Sequence, residues 1–125
     1  MIMIDTDVFI DNFRGIEKSK KFFEEIISGD KEFYFSVITE AELLSGKECE
    51  DKLKMNKVLN LLSLGHKLTI DNNIARTAGD FRRLYNLKLD DAFIGATAFL
   101  HNSTLITRNI DDFKSVKVLE VMKPY

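Results

Sequence analysis

Tryptophan is absent from this 125-residue chain, and cysteine and proline occur once each, as Cys49 and Pro124. A lone cysteine closes no disulfide within the chain, so a disulfide-stapled fold is excluded and a reducing, cytoplasmic setting is expected. No proline-rich or glycine-rich linker interrupts the sequence, and residues 1–125 are expected to form a single domain. No apolar run reaches the roughly 18–20 residues of a membrane helix. The opening MIMIDTDVFI places Asp5 where a signal peptide carries a basic region, so neither targeting nor membrane insertion is expected. Positive charge is not in excess either. Eighteen Lys and Arg stand against 20 Asp and Glu, for a net charge of −2. Binding that rests mainly on phosphate neutralisation usually needs a basic chain. An acidic pocket that recruits metal ions to face a phosphate is not excluded. His66 and His101 are lone histidines, read as capping or core-edge residues rather than as a metal cluster.

What the chain does have is an ordinary globular balance, 45% hydrophobic and 30% charged, enough to build a core. MIMI reads as a short buried strand, followed by a helix in VFIDNF that stops at Gly15. Residues 16–30 form an amphipathic pattern with Ile16, Phe22, Phe23, Ile26 and Ile27 near one face. EFYFS is strand-forming, and VITEAELLSG is helical. KECEDKLKMNKVLNLLSLG reads as one further helix with Leu53, Val58, Leu61 and Leu62 inward. HKLTI is a short strand-like piece, and DNNIARTAGDFRRLYN is a helix capped by Asp71 or Asn72. DDAFIGATAFLHN is apolar on almost every side, which predicts a buried helix. STLIT and SVKVLEV supply the last strands. Strands separated by helices predict a three-layer α/β/α sandwich around a mostly parallel sheet.

In such sheets ligands sit beyond the carboxyl ends of the strands, and acidic residues fall there repeatedly. Asp5 ends the first strand, Glu42 lies in the helix after FYFS, Asp91 starts the buried helix, and Asn109, Asp111 and Asp112 follow the TLIT strand. Each has a plain structural reading as well. Asp5 and Asp90 suit helix N-caps, Asp91 suits a helix's first turn, and Asp111 and Asp112 suit a turn. Glu40 and Glu42 point to different faces, so at most one reaches a shared site. Taken jointly, carboxylates from four elements at one edge repel each other unless they are protonated or neutralised. Oxygen-only donors favour Mg²⁺ or Mn²⁺ over zinc. Thr6, Thr107 and Arg108 stand beside the acids and are candidate phosphate donors. For Arg108 an ion pair with a neighbouring acid is the alternative.

MIMIDTDVFID, SVITEAELLSG and DDAFIGATAFLHNSTLITRNIDDF, in this order and spacing, resemble the motifs of the PIN-domain family, specifically its VapC-like toxin ribonucleases. The resemblance spans nearly the whole chain. It implies a parallel sheet between helices and Mg²⁺-dependent endonucleolytic cleavage of RNA. It also implies a homodimer and an antitoxin protein as partner. Asp5, Glu42 and Asp91 match the family's first three acids. For the fourth, Asp112 is favoured, with Asn109 as a neutral oxygen donor or water anchor. On this reading Asp5 and Asp91 hold Mg²⁺, which Mn²⁺ can replace. Glu42 and Asp112 complete the catalytic pocket, and Asp7 is an added supporting carboxylate.

Two other readings compete with it. DTDVF also fits the opening of haloacid-dehalogenase-type phosphatases, where Asp5 would be a covalent nucleophile and Asp7 an acid–base residue. No lysine is placed for that chemistry. A catalytically silent PIN-like binding module is the second, and it leaves four gathered acids without a task.

Overall fold

The structure, a computed structural model, describes all of residues 1–125. Five strands form one sheet: β1 (Ile2–Ile4), β2 (Tyr34–Ser36), β3 (His66–Leu68), β4 (Thr104–Ile106) and β5 (Val121–Met122). The order is β3-β2-β1-β4-β5, and every pairing is parallel. Seven helices connect and flank them: α1 (Thr6–Phe13), α2 (Glu17–Ser28), α3 (Val37–Leu44), α4 (Lys52–Ser63), α5 (Asn72–Tyr85), α6 (Leu89–Leu100) and α7 (Ile110–Phe113). This is the expected α/β/α arrangement.

Alternation along the short strands divides the core into two layers. Met3 and Leu105 face one side of the sheet with Ile74, Ala78, Phe81 and the apolar face of α6. Ile4, Phe35 and Ile106 face the other side with Phe9, Phe23, Phe33, Leu43, Val58 and Leu62. Phe9 holds this second layer together through tilted and edge-on ring contacts with Phe23, Phe33 and Phe35, at centroid distances of 5.0–6.2 Å. Small residues let α6 lie deep against the sheet. Ala92, Ala96 and Ala98 are fully buried, and an added Cβ on Gly95 would sit 3.5–3.7 Å from Phe113 and Leu119.

Several expectations need correction. The segment read as one helix from Lys47 is broken: a 3-10 turn covers Lys47–Glu50, and Asp51 then caps α4 by accepting from the Leu53 N–H at 2.9 Å. The break resets the helical phase, so Leu53 is 74% exposed instead of inward. Ile16 caps α2 and Ile27 lies on its outer face, both solvent-exposed. Of SVKVLEV only Val121 joins a strand. Val116 and Leu119 instead tuck into the core from a turn. Asp111 and Asp112 lie in the short helix α7 rather than in an open turn.

The strand order fixes where a ligand can enter. The chain runs outward from β1 to β2 and β3, then returns to the other side of β1 for β4 and β5. The direction of winding reverses between β1 and β4, which opens a crevice at their carboxyl ends. Those ends carry Asp5 and Thr107.

Candidate functional site

Asp5 follows β1 directly and caps α1, accepting from the Thr6 N–H at 2.8 Å through Oδ1. Its other oxygen accepts from the Thr107 hydroxyl, 2.8 Å away across the β1–β4 crevice. The capping reading of Asp5 therefore holds, and its second oxygen lies at the β1–β4 crevice. The residue is only 5% exposed. Burial, followed by the charge of Asp7, pushes its carboxyl up to about 7; the bonds from Thr107 and Thr6 oppose the shift, and Asp91 adds to it.

Asp7 is the second residue of α1. Its Oδ2 accepts from the Arg108 N–H at 3.1 Å and lies 3.2 Å from the Thr107 hydroxyl. That hydroxyl has one proton for two carboxylates, and Asp5 is the nearer. It also accepts from the Asn109 N–H at 3.1 Å. The Oδ1 of Asp7 is buried with no hydrogen-bond partner. Burial raises the Asp7 carboxyl above the ordinary range, and the Arg108 charge works against it.

Glu42 comes from α3 and is half-buried. Its Oε1 accepts from the Thr6 hydroxyl at 2.8 Å, and Thr6 in turn lies 2.9 Å from the buried Thr39 hydroxyl. Thr6 thus ties Asp5 and Glu42 together, the first through its N–H and the second through its hydroxyl. Burial raises the Glu42 carboxyl; the Thr6 bond opposes it, while Asp90 and Asp91 push the same way as burial. Asp91 stands in the first turn of α6, where burial, then the charges of Asp90 and Asp112, lift it to about 6. Lys88 opposes that shift, and Asp7 adds to it.

Asp5, Asp7, Glu42, Asp90, Asp91 and Asp112 therefore form one connected electrostatic group, since each perturbs or is perturbed by another member. All four of the expected acids belong to it. Asp112 is exposed and acts on Asp91 from the rim. Asn109 caps α7 with its backbone, and its side chain makes no capping bond. Asp90 is not the cap of α6. The helix begins at Leu89 with Lys88 as N-cap, and Asp90 accepts from the Asp91 N–H at 2.9 Å within the first turn while facing Glu42. Sequence reasoning missed this role because the capping pattern explained the residue without it.

The threonines differ from the expectation of phosphate donors. Thr6 and Thr107 are 6% and 0% exposed, and their hydroxyls are engaged by Glu42, Thr39 and Asp5. Neither is open to a substrate; both hold carboxylates in place. The ion pair weighed for Arg108 is present, with Nε 2.8 Å from Asp11 Oδ2.

In donor chemistry these residues fit a hard divalent cation. The oxygens are carboxylate oxygens, several have proton affinity raised by burial and by neighbouring carboxylates, and Asp7 Oδ1 is a buried acceptor with no donor. No three of the side chains stand close enough to make a ready-formed coordination group.

The PIN domain profile matches residues 2–119, and the chain belongs to the PIN-domain family. Ribonuclease VapC10 of Mycobacterium tuberculosis is 30% identical over 131 residues, which cover 99% of this chain and 92% of that protein. A toxin–antitoxin complex from Klebsiella pneumoniae contains a similar chain. It has 32% identity and a TM-score of 0.82, with 100% of this chain and 98% of that one covered. DNA-bound VapBC from Salmonella typhimurium shares the fold at a TM-score of 0.84 and 20% identity, covering 99% and 98%. The family assignment removes the phosphatase reading of DTDVF.

Proposed function

We propose that this chain is a metal-dependent endoribonuclease, the toxin of a toxin–antitoxin pair, which hydrolyses RNA phosphodiester bonds with an activated water. The observation that carries the proposal is the set of Asp5, Asp7 and Glu42 held by the Thr6 and Thr107 hydrogen bonds, with Asp90, Asp91 and Asp112 acting electrostatically on one another and on this set. Likeness to a curated ribonuclease over nearly the full chain supports the substrate class.

On this reading Asp5 and Asp91 hold Mg²⁺, or Mn²⁺ in its place. A bound divalent ion lowers the pKa of its water and offsets charge building on the phosphate. Thr107 keeps Asp5 aimed into the crevice, and Thr6 does the same for Glu42. Glu42 and Asp112 flank the pair and orient water for in-line attack. Asp7 is a supporting carboxylate that fixes the Arg108 backbone, and Asn109 sets the start of α7 below it. Arg108, partly exposed at the rim, contacts a substrate phosphate. Because the carboxyls hold protons near neutrality, cation binding is coupled to proton release.

An antitoxin protein and a second copy of the chain are the proposed partners, and the cytoplasm is the proposed location. Support for the antitoxin comes from the Klebsiella complex. A cleft of about 380 Å³ with Ile10, Phe13, Leu43 and Val58 in its lining also has Glu42 in its wall, so a protein seated there would reach the acidic group.

The test is cleavage of a single-stranded RNA by the purified chain. Activity should require Mg²⁺ or Mn²⁺, stop with chelator and vanish in Asp91→Asn. Cleavage that persists in chelator overturns the mechanism. Metal-dependent RNA binding with no cleavage by the native sequence would leave a silent binding module.

A further inference from the structure

Asp11 has no part in the acidic group, yet it is a buried carboxylate, 7% exposed, one helical turn beyond Asp7 on the same face of α1. Such a group must be partnered. Both of its partners meet one oxygen. Arg108 approaches Oδ2 with its Nε at 2.8 Å, and the Tyr125 hydroxyl donates to the same atom at 2.5 Å. The Tyr125 ring stands edge-on to Phe22 of α2, with centroids 6.4 Å apart. The segment after β5 is thereby pinned across α1 and α2.

Arg108 is consequently held at two points by one face of α1. Asp7 accepts from its backbone N–H, and Asp11 pairs with its guanidinium. The terminal Nη groups of Arg108 make no hydrogen bond within the chain, unlike those of Arg82 and Arg83, which donate to Leu87 O and Asp80. Its side chain remains 43% exposed. A cation fixed through its Nε with its Nη donors still open is a preorganised phosphate grip, since less side-chain freedom is lost on binding. The shared oxygen matters too. By donating to Asp11, Tyr125 fixes the carboxylate oxygen on which the Arg108 Nε rests.

We propose that Asp11 and Tyr125 are positioning residues for substrate binding, which hold Arg108 at the rim of the acidic crevice as a preset phosphate contact. The inference rests on the nuclease reading for its substrate. It predicts a split in the kinetics: Asp11→Asn and Tyr125→Phe raise the KM for a single-stranded RNA, about tenfold for the first and severalfold for the second, with kcat retained. Arg108→Ala raises KM as well, and Asp11→Asn adds nothing further in that background.

The experiment is a double-mutant cycle over Asp11, Tyr125 and Arg108. Steady-state cleavage is measured with Mg²⁺, and fluorescence anisotropy of the same RNA is measured in an Asp91→Asn background. Circular dichroism melts check folding. Nonadditive losses confined to KM and affinity support the proposal. Additive losses, an unchanged KM, or a fall in kcat alone would overturn it. If the native sequence cleaves no RNA, the nuclease reading fails separately, and coupling in the anisotropy data still decides whether Asp11 sets Arg108. Should Asp11→Asn not fold, the Tyr125→Phe and Arg108→Ala pair gives the same cycle.

Discussion

Asp91 has two opposed effects in one carboxyl. On the proposed reading it holds a cation, and in the metal-free chain that same charge is disfavoured, pushed to about 6 by burial and by Asp90 and Asp112. Asp91→Asn should cut RNA cleavage by roughly a thousandfold or more, the scale of losing several kcal/mol of charge stabilisation. The same change should raise the melting temperature of the metal-free protein near pH 8 by a few degrees, because a repelled charge is gone. Lower thermal stability together with lost activity would mean that the carboxylate is structural. Thr107 is the opposite case. Its buried hydroxyl donates toward Asp5 and accepts from the Asn109 N–H. Thr107→Val keeps the shape and strands both partners, so it should destabilise by about 1–3 kcal/mol in urea titration, while Thr107→Ser stays close to the native value.

Helices and strands show the same dependence on context in their glycines. Gly79, inside α5, has nothing within 4 Å of where a Cβ would be. Gly79→Ala should therefore stabilise by about 0.5–1 kcal/mol through helix propensity alone. Gly65 precedes β3, and a Cβ there would come within 2.3 Å of the Phe33 ring. Gly65→Ala should destabilise by about 1–3 kcal/mol, because that ring belongs to the packed second layer and cannot yield. Urea midpoints for the two variants should shift in opposite directions. Most elements were legible in the sequence because strand ends and apolar periodicity are local signals. Met3 and Ile4 alternate across the sheet, and Asp5 and Asp91 follow from the crevice rule. What was not legible arose from helix phase and from distance. Leu53 turned outward because Asp51 restarted the helix, and Asp90 lost the cap to a helix that began at Leu89. The Tyr125–Asp11 bond joins residues 114 apart in sequence, and neither residue type announces such a contact.

Across the whole molecule, the perturbed carboxyls move the same way: Asp5, Asp7, Glu42 and Asp91 are all raised, chiefly by burial. A carboxyl with a folded pKa above its unfolded value of about 4 binds protons more readily in the folded state. Its contribution to stability is complete below about pH 4 and is lost as pH rises through the folded value. For Asp91 and Asp5 that loss is centred near 6 and 7. The raised tyrosine Tyr125, at about 12, titrates outside this window. The metal-free protein should therefore melt several degrees lower at pH 8 than at pH 5. Saturating Mn²⁺ should reverse the slope, since a cation bound only by the folded chain stabilises it most where the carboxyls are ionised. Differential scanning calorimetry with chelator and with Mn²⁺, at both pH values, gives the four melting temperatures needed. A metal-induced gain larger at pH 8 than at pH 5 is the expected result. Equal gains, or a metal-free melting temperature that rises with pH, would show that the crevice carboxyls are neither under mutual strain nor relieved of it by a cation.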